Sequence, residues 1–324
     1  MFRVLAAALL TFALSAVAYA RGSYPSRALT LIVPFAPGGP TDVVARIVAE
    51  AMARGLGQPI VIENVAGAGG TTGALRGARA VPDGQTLLLG QLGTHALAVA
   101  LYPKLSYDPV GDFEPVGLVA SAPQVLVVRK NLPVSTLAEF ADYARVNGRR
   151  LNNGHAGIGA TSHVACLLFN AMVMVDPASV AYRGTAPALN DLIAGQIDYL
   201  CDQVTNVVGH AQSGSVKPLA VMAPERSPVL PDVPTSTEAG MPGLQAVVWN
   251  GLFLPKGTPK ERVERLASAL EGALDDPTTR QRLTELGAEI PVAGERGPVP
   301  FGMLVRREVE RWTPILREAG VAGP

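Results

Sequence analysis

The sequence predicts a two-lobed α/β protein, and three observations favour this class. Short β-branched runs alternate with amphipathic helical segments along most of the chain, which is the pattern of a parallel or mixed sheet covered by helices. The 324 residues exceed the roughly 250 to 300 that one hydrophobic core usually serves. The C-terminal helices can pack only if the chain returns to its first lobe, so two segments connect the lobes and form a hinge.

Residues 1–20 have the pattern of a cleavable secretory signal peptide. Arg3 is their single charge, an apolar run follows from Val4 to Ala18, and the segment closes on Ala18-Tyr19-Ala20. These are the n-region, the h-region and the small-residue cleavage motif of such a peptide. The run is shorter than the roughly 20 residues that span a bilayer. We predict export with cleavage near Ala20, and a buried N-terminal helix is the less favoured alternative.

Charge and motif content exclude several classes of function. Lys and Arg number 27, as do Asp and Glu, so no basic surface is expected to bind nucleic acid or anionic lipid. The four histidines show neither i, i+4 spacing nor a nearby CxxC, so we expect no metal, and no cofactor motif is present. Cys166 and Cys201 are the two cysteines, and a disulfide or two buried thiols both stay open.

The first lobe is predicted to begin with a strand at residues 29–35. A helix follows from Thr41 to Met52, because its apolar residues recur on one face. Residues 59–64 and 86–90 are further buried strands. A Pro-rich region at 102–123 is then the first predicted crossover between the lobes.

The second lobe is predicted to open with a strand at 124–130 and a helix that starts near Ser135, with Glu139 at capping-box spacing. The chain then alternates strands and helices in the same way. The remaining predicted segments are strands 151–155, 179–182, 196–201 and 218–223, and helices from 162 and from 185 to 195.

The C-terminal part is predicted to return to the first lobe and to be helical. Asp276-Pro277 restarts a helix and Gly287 ends it, while Trp312 and Ile315 are expected to face the core. The predicted boundaries are residues 21–122 plus 244–324 for lobe one, and 123–243 for lobe two.

Two glycine loops carry the strongest signal for a binding site. The first runs from Phe35 to Asp42 as Phe-Ala-Pro-Gly-Gly-Pro-Thr-Asp, and the second runs from Gly154 to His163. Each stands between a strand and a helix start, where glycines expose backbone N–H groups and the helix dipole attracts an anion. An ordinary βα turn is the alternative for either loop alone. One such loop in each lobe predicts a clamp on an anionic ligand.

Other polar residues are weaker candidates. His95 follows a strand end and Arg183 lies near a loop, although an exposed ion pair is the commoner role of an arginine. Asp202 follows a strand at the end where α/β proteins usually bind ligands; capping the next segment is its alternative role. His163 either contacts a ligand or caps its own loop.

Taken together, these segments resemble the Bug family of periplasmic solute receptors, which belong to tripartite tricarboxylate transporters. The resemblance rests on segments that occur in order over nearly the whole mature chain. They include IVPFAPGGPTDVVAR, IVIENVAGAGGTTGA, PDGQTLLLG, GTHALAVALY, NGHAGIGATSH, VAYRGTAPALNDLIAGQIDYLCD and VWNGLFLPKGTP.

The resemblance implies a type II periplasmic-binding-protein fold, whose two α/β lobes close on a carboxylate held largely by backbone amides and ordered waters. It implies a periplasmic monomer that contacts membrane transporter subunits transiently. Carried over residue by residue, it assigns the ligand to both glycine loops and to a second tier of positions. The loop residues are Phe35, Gly38, Gly39, Thr41, Asp42, Gly157, Gly159, Ala160, Thr161 and His163; the second tier is Ala68, Gly69, His95, Arg183 and Asp202.

Two other classes of function stay open. A periplasmic hydrolase or isomerase would use His163 as base and Asp202 as its orienting partner, but the sequence shows no nucleophile or metal set beside them. A ligand-binding sensor for a membrane kinase would have the same fold and site as a transport receptor. We predict the transport receptor.

Overall fold

The computed structural model describes residues 24–318, so the predicted signal peptide lies outside the described residues. Strands and helices alternate as predicted for an α/β fold. The strands are β1 (Leu29–Val33), β2 (Ile60–Asn64), β3 (Thr86–Gln91), β4 (Phe113–Arg129), β5 (Asn152–His155), β6 (Ala178–Ala181), β7 (Tyr199–Gln203), β8 (Val216–Val221) and β9 (Val247–Pro255).

Helices cover both halves of the sheet, and within residues 24–318 none is long and apolar enough to cross a membrane. A π-helical turn, Gly93–Leu97, precedes α3. The α-helices are α1 (Pro40–Leu56), α2 (Thr71–Ala78), α3 (Ala98–Leu101), α4 (Leu137–Asn147), α5 (Thr161–Val173), α6 (Thr185–Ile193), α7 (Val204–Gln212), α8 (Lys260–Asp275), α9 (Pro277–Glu285), α10 (Ala293–Arg296) and α11 (Pro298–Glu318).

One long strand, β4, joins the two halves of the sheet. The strand order is β2-β1-β3-β9-β4-β7-β5-β6, and β8 also pairs with β4. From Phe113 to Pro123, β4 pairs with antiparallel β9, whereas from Gln124 onward it pairs with β7 and β8. The chain therefore passes between the halves without leaving the extended conformation.

The sequence analysis treated residues 102–123 as a Pro-rich connection, but 113–123 is strand. Proline cannot donate to a strand ladder and is tolerated mainly at bulges and edges. The β4–β9 register shifts between Pro115 and Gly117 and again between Leu118 and Ala120. These irregularities accommodate a proline inside a central strand, so its presence did not exclude a strand.

The C-terminal part returns to the first half of the sheet. Strand β9 lies between β3 and β4, α8 packs against α1, and α11 packs against β4. Trp312 of α11 is buried as predicted, whereas Ile315 is 38% exposed and Leu316 is buried instead. The correction follows from helix geometry, because adjacent residues lie about 100° apart around the axis.

We propose to divide the lobes at the predicted positions. Lobe one then holds residues 24–122 and 244–318 of the described chain, and lobe two holds 123–243. The change of partners along β4 between Pro123 and Gln124 supports this division.

The start of α4 uses a capping box one residue later than predicted. Thr136, not Ser135, is the N-cap, and its hydroxyl accepts the Glu139 N–H at 3.1 Å. The Glu139 carboxylate accepts the Ser135 N–H at 2.6 Å. One N–H group that the first turn leaves unpaired is thereby satisfied, together with the N–H of the residue before the cap.

The two cysteines are joined as a disulfide. Cys166 of α5 and Cys201 of β7 have Cα atoms 5.6 Å apart, and both side chains are fully buried. They lie in the core of lobe two with Phe140, Phe169 and Tyr199. The bond ties the helix that follows the second glycine loop to the strand that carries Asp202.

Replacing both cysteines with alanine is expected to lower the free energy of unfolding by about 3–4 kcal/mol, because the bond closes a loop of 35 residues and restricts the unfolded chain. Urea unfolding of the double variant and the native protein measures the difference. Thiol titration of the denatured protein without reductant is the control, and release of two thiols would show that the bond is absent.

Candidate ligand-binding cavity

Helix N-termini from both lobes converge on a small cavity between them. Strands β5, β6 and β7 are mutually parallel neighbours, as are β1, β2 and β3, so in each lobe their carboxyl ends share one edge of the sheet. These two edges face each other, which is where ligands bind in open α/β sheets. The cavity has a volume of about 20 Å³, about enough for one water molecule.

Six of the predicted site residues line this cavity. They come from the two glycine loops and from the end of β7, so the structure brings the two loops together as a clamp requires. The six are Phe35, Gly39, Thr41, Ala160, Thr161 and Asp202.

The first loop presents the N-terminus of α1 to the cavity. Gly38 has φ +80°, a backbone conformation that favours glycine. Gly39 is the N-cap in extended conformation, without a side-chain cap, and Pro40 occupies the first helical position. Proline has no N–H and fixes φ near its helical value. The N–H groups of this first turn are therefore free to bind an anion.

Asp42 supports this loop from behind and does not line the cavity. Its carboxylate accepts hydrogen bonds from the Gly38 N–H at 2.9 Å, the Arg46 guanidinium at 2.8 Å and the Asn64 amide at 2.8 Å. Burial raises the pKa of Asp42, but these hydrogen bonds outweigh it and hold the pKa below its usual value. Asp42 is thus an ionised anchor that fixes the shape of the loop.

A pair of histidines supports the second loop. The His155 Nδ1 accepts the Gly157 N–H at 3.1 Å, and the His163 Nδ1 accepts the Gly159 N–H at 3.4 Å. Their rings lie 4.4 Å apart. Burial lowers the pKa of both rings, that of His163 to about 4. Both rings are therefore neutral near pH 7 and can accept these N–H groups.

Glycines form a seam where the backbones of the two lobes touch. A Cβ atom on Gly69 would overlap the Ile158 carbonyl oxygen, and a Cβ on Gly157 would lie 2.8 Å from the Gly69 nitrogen. Ala68 lies beside this seam. A Cβ on Gly159 would lie 2.6 Å from the Tyr102 ring. These predicted site residues bring the lobes together at the edge of the cavity.

Tyr102 bridges the lobes at this seam, and the sequence analysis missed it. Its hydroxyl lies 2.5 Å from the Ile158 carbonyl oxygen and 2.9 Å from that of Ala68. A hydroxyl has one proton, so the two carbonyls share a single donor. No sequence signal marked this residue, because its role exists only when the lobes meet.

The structure places His95 and Arg183 away from the cavity lining. His95 is fully buried and stacks on Phe253 with ring centroids 4.0 Å apart, and burial lowers its pKa to about 3. The Arg183 side chain is exposed; its backbone carbonyl accepts the Ala36 N–H at 2.9 Å. Arg183 thus contributes a main-chain bond between the lobes.

Side-chain amides form the inner wall of the cavity, and the sequence analysis missed them. Gln91 and Gln203 are the last residues of β3 and β7, a position that could have marked them. Gln124 lies inside β4 at the crossover and carried no such signal. The Gln91 Oε1 accepts the Thr161 hydroxyl across the lobes at 2.9 Å. The missed lining residues are Pro40, Gln91, Gln124, Ala156, Ser162, Thr185 and Gln203.

Two buried polar atoms in this wall have no hydrogen-bond partner: the Gln124 Oε1 and the Thr185 hydroxyl. Gln124 is 1% exposed and Thr185 is 5% exposed. Buried polar groups are normally paired, so these two are suited to a bound molecule. Thr185 begins α6, and Gln203 is the N-cap of α7, which brings two further helix N-termini to the cavity.

A larger groove of about 650 Å³ lies between β1 and α2. Its arginines Arg27 and Arg76 pair with Asp83 and Glu63. This groove has no converging helix N-termini, so the cavity between the lobes is the better candidate site.

The two lobes and the cavity between them define a periplasmic-binding-protein fold. Residues 44–321 match the model of the tripartite tricarboxylate transporter family receptor. The chain belongs to this family of periplasmic solute-binding receptors, as the resemblance predicted.

Solved structures show the same fold over nearly the whole chain. MatC from Rhodopseudomonas palustris, solved with bound malate, is 50% identical, with a TM-score of 0.88, over 90% of this chain and 100% of its own. The periplasmic binding protein BugD is 41% identical, with a TM-score of 0.91, over 93% and 100%. Another R. palustris protein, solved with adipate, is 36% identical, with a TM-score of 0.88, over 93% and 100%.

Gly69→Ala is expected to prevent full closure, because its Cβ would overlap the Ile158 carbonyl oxygen of the other lobe. Small-angle X-ray scattering should give a larger radius of gyration than for the native protein. Gly57→Ala is the matched control, since Gly57 has a similar φ of +69° and nothing within 4 Å of its Cβ position. Both variants should lose about 1 kcal/mol of stability. Equal radii of gyration for Gly69→Ala and Gly57→Ala would show that close backbone contact at Gly69 is not needed for closure.

Tyr102→Phe is expected to loosen the closed form by removing one hydrogen bond between the lobes, worth about 1 kcal/mol. Hydrogen exchange of the Ala36 amide, which bonds the Arg183 carbonyl across the lobes, should become about fivefold faster. Tyr182→Phe is the control, because its hydroxyl bonds Asp191 within lobe two. An unchanged Ala36 exchange rate in Tyr102→Phe would show that this hydroxyl does not hold the lobes.

Proposed function

We propose that this protein captures a small carboxylate between its lobes and delivers it to the membrane subunits of a tripartite tricarboxylate transporter. The observation that carries the proposal is the convergence of helix N-termini and unpaired polar atoms on one cavity. Two solved relatives that share the fold over nearly the whole chain were solved with malate and with adipate. Di- and tricarboxylates and aromatic acids are the ligand classes that this site would accept.

The carboxylate would be bound by backbone N–H groups and hydroxyls, because the described lining residues include no Lys, Arg or His. The first turns of α1 and α5 provide these groups at Gly39, Thr41 and Thr161, whereas the Ala160 N–H is already bonded to the Gly157 carbonyl. Each helix N-terminus stabilises an anion by about 0.3–1 kcal/mol when exposed and up to about 2 kcal/mol when partly buried. Several converging helices can therefore replace a cationic side chain.

Binding would favour closure around the ligand, since a ligand between these lining residues contacts both lobes. The lobes would lie further apart than in this structure, because its cavity holds only about one water molecule. Phe35 and Thr41 belong to lobe one, whereas Thr161 and Asp202 belong to lobe two. A ligand shifts a conformational equilibrium only by its difference in affinity for the two states. A carboxylate that satisfied one lobe alone would not stabilise closure.

We propose binding without turnover. The His163 Nδ1 accepts the Gly159 N–H, and the Asp202 carboxylate accepts the Gln203 N–H and the Asn206 amide. No hydrogen bond joins His163 to Asp202 within the described chain. A base with its Nδ1 occupied and no orienting carboxylate does not form the pair that the enzyme alternative required.

The protein would act as a periplasmic monomer after removal of residues 1–20. Export is supported by the signal-peptide pattern of that segment. The closed receptor would present its ligand to the transporter by transient contact.

Succinate, L-malate, adipate, citrate and terephthalate are the test ligands. At about 100 times its dissociation constant, a bound acid should stabilise the protein by about 2.7 kcal/mol and raise the melting temperature by roughly 5 °C. Differential scanning fluorimetry measures the shift. Succinamide is the control, since it keeps the carbon skeleton of succinate without the charge. If every acid left the melting temperature unchanged, the receptor proposal would fail.

A further inference from the structure

Asp202 is the only ionisable side chain among the described residues that line the cavity. It lies at the carboxyl end of β7, next to the N-terminus of α7, and is 1% exposed. A carboxylate ligand held by these lining residues would lie within a few ångströms of this second carboxyl group. When two carboxylates share a site, the charge of one strongly raises the pKa of the other.

The groups that face Asp202 are neutral. One oxygen accepts the Gln203 N–H at 2.8 Å and the other accepts the Asn206 amide at 2.5 Å. The Thr185 hydroxyl lies close enough to lower the pKa of Asp202, although it does not meet hydrogen-bond geometry. Burial raises the pKa of Asp202 to about 6 against the opposing effect of these donors.

The charged and titratable groups on the surrounding elements do not pair with Asp202. Arg129 of β4 pairs with Asp198, Asp191 of α6 accepts the Tyr182 hydroxyl, and His210 lies in the last turn of α7. None of them contributes to the pKa of Asp202.

We propose that Asp202 binds a proton when a carboxylate ligand enters the cavity, so that ligand binding and proton uptake are coupled. The neutral acid then offers an O–H donor toward the cavity in place of a negative charge. This inference rests on the proposed function and narrows its ligand class to acids without an ammonium group. An ammonium would instead pair with the ionised Asp202 and would lower its pKa.

The sign of the pH dependence follows from linkage. In the ligand-free protein the pKa of Asp202 is about 6, and the negative charge of the ligand raises it further. Well below pH 6 Asp202 is already protonated in the free protein and takes up no proton on binding; above pH 6 affinity falls by up to about tenfold per pH unit until the pKa of the complex is reached. The pKa of His163, about 4, lies below this range.

Isothermal titration calorimetry of the exported protein tests the coupling. Succinate, L-malate and adipate are titrated at pH 7 in HEPES and in Tris, whose ionisation enthalpies differ, and the difference in binding enthalpy counts the protons. We expect an uptake of roughly 0.5–1 proton per ligand. Titrations between pH 6.5 and pH 8 should show the fall in affinity.

Asp202→Asn mimics the protonated acid and should bind with an affinity that no longer depends on pH between 6.5 and 8, a range in which the ligands stay fully ionised. Asp191→Asn is the matched control in the same lobe, and it should keep the native pH dependence. The native protein provides the proton count even if Asp202→Asn fails to fold.

The outcomes separate the two proposals. If an acid binds without proton uptake, or if folded Asp202→Asn loses more than tenfold affinity at every pH, the coupling is wrong and the receptor proposal stands. If aspartate binds with proton release while the three acids do not bind, Asp202 pairs with an ammonium and the coupling is wrong. If neither the acids nor aspartate bind, both proposals are wrong.

Discussion

The site depends on backbone N–H groups that must stay unpaired and point at one position. Such groups cannot be aimed by their own side chains, so each loop needs support from behind. Asp42 provides it in lobe one by accepting the Gly38 N–H, and His155 and His163 provide it in lobe two through Gly157 and Gly159. An ionised acid and two neutral imidazoles thus have the same task, which is to accept loop N–H groups that face away from the cavity.

The fold gives these two loops a common meeting point. Strand β4 runs from the first half of the sheet into the second, and its Gln124 lies in the cavity wall next to the change of partners. The Asn250 amide of β9 lies 3.5 Å from the Gln203 Oε1 of β7. The polar wall of the cavity therefore lies where the two lobes connect. A change in the angle between the lobes directly changes the positions of these polar side chains.

The sequence predicted the strands, the helices and the two glycine loops better than the individual residues that connect the lobes or line the cavity. The periodicity of apolar residues and the placement of glycines located the strands, α1 and α5, because these signals depend only on neighbouring residues. The resemblance seen in the sequence and the match to the family model both indicate the same receptor family. Tyr102, Gln124 and Thr185 were missed because their roles arise from contacts between distant segments. Pro115 and Pro123 hid the first half of β4, since the bulges that accommodate a proline leave no clear pattern in sequence.

Closure without a ligand rests on few bonds. Between the lobes the Ala36 N–H bonds the Arg183 carbonyl, Tyr102 bonds the Ile158 carbonyl, and Thr161 bonds the Gln91 amide. Each contributes about 1 kcal/mol net, a total below the roughly 5.5 kcal/mol that moves an equilibrium from 1:99 to 99:1. The apolar contact across the lobes includes a small cluster in which Phe35 packs on Ala156 and Ala160. The balance between open and closed forms therefore stays within the range that one bound carboxylate can shift.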